Sequence, residues 1–380
     1  MNLIAGAFPY FMLPFVISVV LVPVCKYIGL RLGIYAVENE RTVHHGRIVR
    51  IGGAAIYSAF MISLAALWKA DVKLNGILIG GDLVFLGGLL DDIYDFSPKY
   101  KLLFQFAGGI AALSIGNLSL ANLHLLSFEI SNPIIVKAIS FFWLIGVTNA
   151  INLIDGLDGL SSGICSIVTM TIGMIGFFMG RRDVCILALC LSGAILGFLP
   201  YNFHPASIFV GDCGAQFMGF TIAALSLLGF KTTAIISLGL PILVLFIPIS
   251  DTLIAIVRRK LKGQKIMSAD RGHLHHILMF KLDLGHRKTV IVLYIVTALF
   301  SAAAVLTYFD PKLGILVILV LVLAADIFIE YTGMINPKFH PLLSLCNRVT
   351  GWPKMKHGED PVDTIREEAG QEETNGKGEE

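Results

Sequence analysis

The sequence predicts an all-α fold: a polytopic membrane helical bundle of about eleven transmembrane helices. Three observations predict it. Of the 380 residues, 56% are hydrophobic and only 15% charged, with a mean hydropathy of +0.78, whereas soluble domains carry about a quarter charged residues. The apolar residues fall in runs of roughly the 20 residues a bilayer core requires. Lys and Arg are distributed unevenly over the segments between those runs.

Taken in order, the first run, 7–25, has no basic segment before it and is followed by Lys26 and Arg31. It therefore reads as a retained span and not as a leader. Runs at 51–68, 74–90 and 102–118 follow, and the short mixed stretch 119–132 reads as a small surface hairpin. Further spans are expected at 133–150, 160–179, 184–201, 214–230, 233–257, 289–308 and 312–330. Pro14, Pro23, Pro241 and Pro248 lie inside spans and predict kinks, which packed neighbours can tolerate. An integral membrane domain of 1–335 is thus followed by a tail, 336–380, that is acidic and, from about 357, too poor in apolar residues to fold alone. The six cysteines form no CxxC pair and read as small apolar fillers.

Eleven spans place successive loops on alternating sides. The odd-numbered loops hold sixteen Lys and Arg residues and the even-numbered loops six. The bias orients the odd loops to the cytoplasm, with the N-terminus outside and the C-terminus inside a plasma (inner) membrane. A net charge of only +2 offers no global field for nucleic acid.

The unusual polar residues then fall on one side. Asp91, Asp92 and Asp95 are in the third loop, Asn149, Asn152, Asp155 and Asp158 at the fifth, Asp212 at the seventh, and Arg271, His273, His275 and His276 in the ninth. If the third helix continues past Asp92, Asp95 shares a face with Asp91 and Asp92. Three such carboxylates repel unless a cation or a proton intervenes; the plainer reading is a solvated helix end. In the second cluster the polar residues recur every third position, which no straight helix gathers into a stripe. Gly156 and Gly159 predict a turn that lets Asn152, Asp155 and Asp158 converge, against the alternative of a polar helix cap. Asp212, flanked by Gly211 and Gly214, suits a Mg²⁺ ligand, since that ion takes one or two carboxylates plus phosphate oxygens and water. The histidines admit a zinc site or a phosphate site; phosphate is preferred because Arg271 and other cations adjoin them and no cysteine completes zinc's set. Arg41, His44, Arg47 and Arg50 extend this basic wall, and Asp82 and Asp251 lie inside spans. A transporter would place its acids near span centres and show inverted repeats, while here most acids cluster at one face. A carboxylate-rich pocket with a basic wall at a bilayer surface fits phosphoryl transfer, in which catalysis is mostly positioning and charge neutralisation.

From about residue 30 to 330 the chain carries, in order, RxxHxGxxxRxGG (Arg41 to Gly53), DDxxDxSPxxK (Asp91 to Lys101), NxxNxxDGxDGL (Asn149 to Leu160), FxGDxG (Phe209 to Gly214) and HLHH (His273 to His276). In these motifs it resembles the polyprenyl-phosphate N-acetylhexosamine-1-phosphate transferases, and within them the undecaprenyl-phosphate N-acetylglucosamine-1-phosphate branch. The resemblance implies a UDP-N-acetylhexosamine donor, undecaprenyl phosphate as membrane-lipid acceptor, UMP as product, Mg²⁺ (or Mn²⁺) as cofactor, and admits a homodimer. It implies a catalytic group of Asp91, Asp92 and Asp95, and a metal site at Asp212 with Asp155. Substrate contacts are implied for Asn149, Asn152, Asp155, Asp158, His273, His275, His276, Arg271, Arg41, His44 and Lys101. Asp95 and HLHH depart from the related phospho-N-acetylmuramoyl-pentapeptide transferases, which usually have DDxxK and three successive histidines. Val49 and Ala215 stand where the family usually has proline and serine; neither change removes a charged group.

Overall fold

A computed structural model describes residues 3–36, 47–68, 72–120, 123–125, 128–130, 132–229, 239–264, 272–335 and 341–350. Its helices are α1 (Leu3–Leu32), α2 (Gly53–Leu67), α3 (Val72–Tyr94), α4 (Pro98–Ser114), α5 (Pro133–Ile154), α6 (Leu160–Phe178), α7 (Arg182–Asn202), α8 (Gly211–Gly229), α9 (Leu240–Val244), α10 (Phe246–Leu261), α11 (Leu274–His276), α12 (Gly285–Phe309), α13 (Pro311–Thr332) and α14 (Pro341–Thr350). Two hairpins, β1 (Tyr35–Ala36) with β2 (Ile48–Val49) and β3 (Leu123–Leu125) with β4 (Phe128–Ile130), are antiparallel. The second occupies the stretch expected to form a surface hairpin.

Each predicted run has a helix. Among the described residues seven helices are long and apolar enough to cross a membrane: α1, α5, α6, α7, α8, α12 and α13. The chain is therefore a polytopic, all-α membrane protein. The runs at 51–68 and 102–118 give the shorter α2 and α4, and α3 carries Asp82, Asp91 and Asp92 within its 23 residues. The ninth run is not continuous: α9 and α10 are separated by Leu245 (φ −96°, ψ 21°) between Pro241 and Pro248. Proline lacks the amide proton that an unbroken helix needs there.

Burial sorts the helices into shells. In α8, 89% of the apolar window is buried, against 6% in α13. α8 packs against α2, α3, α5, α6 and α7 and forms the axis of the bundle. Leu316, Leu319, Val320 and Leu323 of α13 point outward with half or more of their surface exposed, an arrangement stable where the surroundings are hydrocarbon. One end of the α8 axis carries Asp212, and the polar residues of α3 and α5 gather there.

Candidate active site

The site is built around the start of α8. Residues 208–210 run beside the segment after β2: Phe209 N donates to Val49 O (2.8 Å), Gly52 N to Phe209 O (3.0 Å) and Gly53 N to Val210 O (2.7 Å). Gly211 then turns the chain with φ +73°, where a Cβ would collide with the Arg50 carbonyl. Only glycine meets both demands. The first N–H groups of a helix have no partner within it, and here α3 supplies one. Asp212 N and Cys213 N donate to the two carboxylate oxygens of Asp92, each at 2.9 Å. Asp92 is thus a cap for α8 delivered from another helix.

Its neighbour Asp91 faces Lys101 of α4. The Lys101 ammonium lies 2.6 Å from Asp91 Oδ2 and 3.1 Å from Asp212 Oδ1, holding two carboxylates together. Asp91 Oδ1 is buried and has no hydrogen-bond partner within the protein. The expectation that Asp95 shares their face is corrected. α3 stops at Tyr94, Asp95 adopts φ +50°, and its exposed carboxylate pairs with Arg50 at 2.5 Å. Arg50 also donates to the Asp92 carbonyl, at 3.0 Å from Nη2.

The opposite wall is the turn after α5, which ends at Ile154 as the glycines predicted. Asp155 accepts from Ser161 Oγ, and burial pushes its carboxyl up to about 7. Asp158 accepts from Ala206 N at 3.1 Å and lies 2.7 Å from His204 Nδ1. Asn202 Oδ1 accepts from Gly159 N and Ser162 Oγ, and Tyr294 of α12 donates to the Gly159 carbonyl. The turn is therefore clamped from α6, α7 and α12. Gly156 abuts His275, whose Nε2 would be 2.6 Å from any Cβ placed there.

The histidine segment is anchored by Asp251 of α10, which accepts from Leu274 N (2.8 Å) and pairs with His273 Nδ1 (2.9 Å). Asp251, expected inside a span, thus secures a loop. His275 is buried, and burial lowers its imidazole to about 3, so it is neutral at any physiological pH. The histidines do not form a zinc site among the described residues. Three possible ligand atoms within 4.8 Å of one another occur instead at Asp158, His204 and His286. The two imidazoles there are stacked, centroids 4.0 Å apart and planes 20° from parallel, so their in-plane lone pairs do not converge on one point.

These walls enclose a cavity of about 510 Å³, within the usual range for small-molecule sites. Asp92, Lys101, Asn152, Asp155, Asp158, Asp212 and His276 line it, and the Asn152 side chain hydrogen-bonds to the Asp212 carboxylate. Sequence reasoning named these seven. It also named Asp91, which reaches the cavity through Lys101; Asn149, which lies deeper among helices; and His273 and His275, which support the loop. Arg41, His44 and Arg271 lie outside the described residues. The cavity further takes in Arg50, Asn202, Met279 and His286. Asn202 at the end of an apolar span was a legible signal; His286 was not, because only tertiary packing brings α12 to this turn. The expected metal pair was Asp212 with Asp155, but Asp155 is engaged by Ser161 and it is Asp91 that Lys101 holds beside Asp212. The carboxylates of Asp91 and Asp212, with Asp91 Oδ1 unpartnered, form an all-oxygen donor set of the number Mg²⁺ or Mn²⁺ takes from a protein when phosphates complete the shell.

Residues 74–230 match the family model described as Glycosyl transferase family 4. Over 334 residues, 87% of this chain and 93% of the relative, the sequence is 36% identical to a probable undecaprenyl-phosphate N-acetylglucosaminyl 1-phosphate transferase of Bacillus subtilis (strain 168). It is 32% identical over 324 residues (76% of this chain, 79% of the relative) to a decaprenyl-phosphate N-acetylglucosaminephosphotransferase of Mycobacterium tuberculosis. An undecaprenyl-phosphate alpha-N-acetylglucosaminyl 1-phosphate transferase of Escherichia coli is 29% identical over 315 residues (80% of this chain, 85% of the relative).

Proposed function

The chain belongs to glycosyl transferase family 4, and on that premise we propose that it transfers N-acetylglucosamine 1-phosphate from UDP-N-acetylglucosamine to undecaprenyl phosphate, releasing UMP. The observation that carries this reading is the cavity itself. A carboxylate and ammonium cluster at Asp91, Lys101 and Asp212 faces a polar turn at Asn152, Asp155 and Asp158, at one end of an apolar bundle. A water-soluble diphosphate and a lipid-borne phosphate can meet in such a place. The site then lies on the cytoplasmic face, where the basic loops are expected, and the product feeds an envelope glycan.

The reaction is a single displacement. An oxygen of the lipid phosphate attacks the donor phosphorus nearest the sugar, and the bond from that phosphorus to the UMP oxygen breaks. A phosphate monoester with a second pKa near 6 is already largely dianionic, so little is gained from a base. Asp91 and Asp212 would hold Mg²⁺, which neutralises the diphosphate when bound. Lys101, Arg50 and His276 line the region where phosphate charge accumulates, and the Asn152–Asp158 turn offers an amide and two carboxylates to nucleoside hydroxyls and base edges. Asp92 keeps Asp212 in place by capping its helix.

The test uses detergent-purified protein, undecaprenyl phosphate and Mg²⁺ with a panel of UDP-N-acetylamino sugars, following UMP. Release with UDP-N-acetylglucosamine alone, dependent on lipid and abolished by EDTA, is the expected result. Release with a different sugar would correct the donor. No release with any sugar from folded protein would overturn the reading.

A further inference from the structure

Three amide side chains sit among the helices below Asp212. Gln105 of α4 and Gln216 of α8 are buried, at 1% and 0% exposure, and Asn149 of α5 is half-buried. None lines the cavity. Uncompensated amides among apolar helices are costly, yet these form one connected chain. Gln216 Nε2 donates to Asp212 Oδ1 (3.4 Å), Gln105 Nε2 to Gln216 Oε1 (3.1 Å), and Asn149 Nδ2 to Gln105 Oε1 (2.7 Å). Gln105 Nε2 also reaches Asn149 Oδ1 (3.3 Å), and Asn149 Nδ2 also reaches the Ile145 carbonyl (2.8 Å).

The direction of this chain is fixed at one end. An ionised carboxylate only accepts, so Gln216 must donate to Asp212 and has its oxygen left for Gln105. Gln105 in turn has its oxygen left for Asn149. The amides of Gln105 and Gln216 thereby both point their donors toward Asp212, while Asn149 pairs reciprocally with Gln105 and holds it in place. Hydrogen-bonded chains of this kind polarise one another in a low dielectric. Lys101 and Gln216 both contact the same oxygen, Oδ1, which fixes the rotation of the carboxylate.

We propose that Asn149, Gln105 and Gln216 are positioning residues that hold Asp212 in the orientation that binds the divalent cation. The inference rests on the transferase reading for its purpose, but its test does not depend on turnover. Supporting partners of metal ligands typically contribute roughly ten- to a hundredfold in metal affinity.

The experiment titrates Mn²⁺ into purified protein with UMP present and follows free Mn²⁺ by electron paramagnetic resonance, comparing wild type, Asp212→Asn, Gln216→Met and Gln105→Met. Each methionine keeps the volume and removes the amide, and two positions guard against one variant failing to fold. Size-exclusion profile and far-UV circular dichroism establish folding. The expected result is Asp212-dependent Mn²⁺ binding in the wild type, weakened about tenfold or more in both methionine variants of unchanged fold. Unchanged affinity in those variants overturns the proposal while leaving the transferase reading intact. Wild-type binding no tighter than that of Asp212→Asn overturns the metal role of Asp212, and the proposal with it. A variant that only lowered the folded fraction would change the number of sites and not their affinity.

Discussion

Replacing Asp92 with asparagine tests whether this residue acts by chemistry or by architecture. Both of its carboxylate oxygens accept backbone N–H groups, from Asp212 and Cys213, at 2.9 Å each. An amide of the same shape can accept only one of them; its NH₂ then faces the other N–H, donor against donor. The residue is 3% exposed, so water does not repair the loss. Losing one hydrogen bond to a charged group, worth about 1.5–3 kcal/mol, and stranding a buried donor, about 1–3 kcal/mol, overlap in what they count. A net local cost of about 2–4 kcal/mol is the reasonable range. Cys213 is fully buried at the third position of α8 and reports opening of this helix start. If labelling requires local opening, that cost raises its reaction rate with N-ethylmaleimide by roughly thirty- to a thousandfold, since about 1.4 kcal/mol is a factor of ten. Peptide mapping by mass spectrometry separates Cys213 from the other cysteines. Asp91→Asn, whose neighbour keeps the cap, should label like wild type while losing activity. Equal labelling of Cys213 in wild type and Asp92→Asn would refute the capping argument.

Two further expectations follow from the turn after α5. Ser161→Ala removes the hydroxyl that favours ionised Asp155, whose carboxyl burial already holds at about 7. The folded pKa should rise, so the ionised form is lost at higher pH and the acid limb of the kcat/KM profile moves to the alkaline side; an unmoved limb would separate Asp155 ionisation from turnover. Tyr294→Phe removes the hydroxyl donated to the Gly159 carbonyl, a contribution of about 1 kcal/mol. The donor KM should rise about fivefold in steady-state kinetics, with the lipid KM unchanged.

Much of the bundle was legible because a bilayer imposes a single length on every apolar run. What escaped was local. Pro241 and Pro248 announced a kink in the ninth run, but not that it would open into a break at Leu245. Asp95 was assigned to a shared helical face because periodicity assumes the helix goes on, whereas the left-handed residue that ends α3 turns it toward Arg50. Within the site, the residues gathered by short motifs, such as Asn152, Asp155 and Asp158, were readable as a group. His204 and His286 were not, since the segment after α7 and the start of α12 meet only in the fold. Gln105 and Gln216 did carry a signal: an amide inside an apolar run needs a partner, and two such amides near the ends of different spans suggest each other.

The pairing of residues 208–210 with the segment from Val49 to Gly53 bears on how such a chain can change length. Register there is fixed by three backbone hydrogen bonds and by a turn at Gly211 with no room for a side chain. One residue inserted between Val49 and Gly53 would rotate Arg50 away from Asp92 and Asp95 and push its carbonyl into the turn that starts α8. Descendants of this sequence are thus barred from changing length between Val49 and Gly53, whatever the rest of the first loop does.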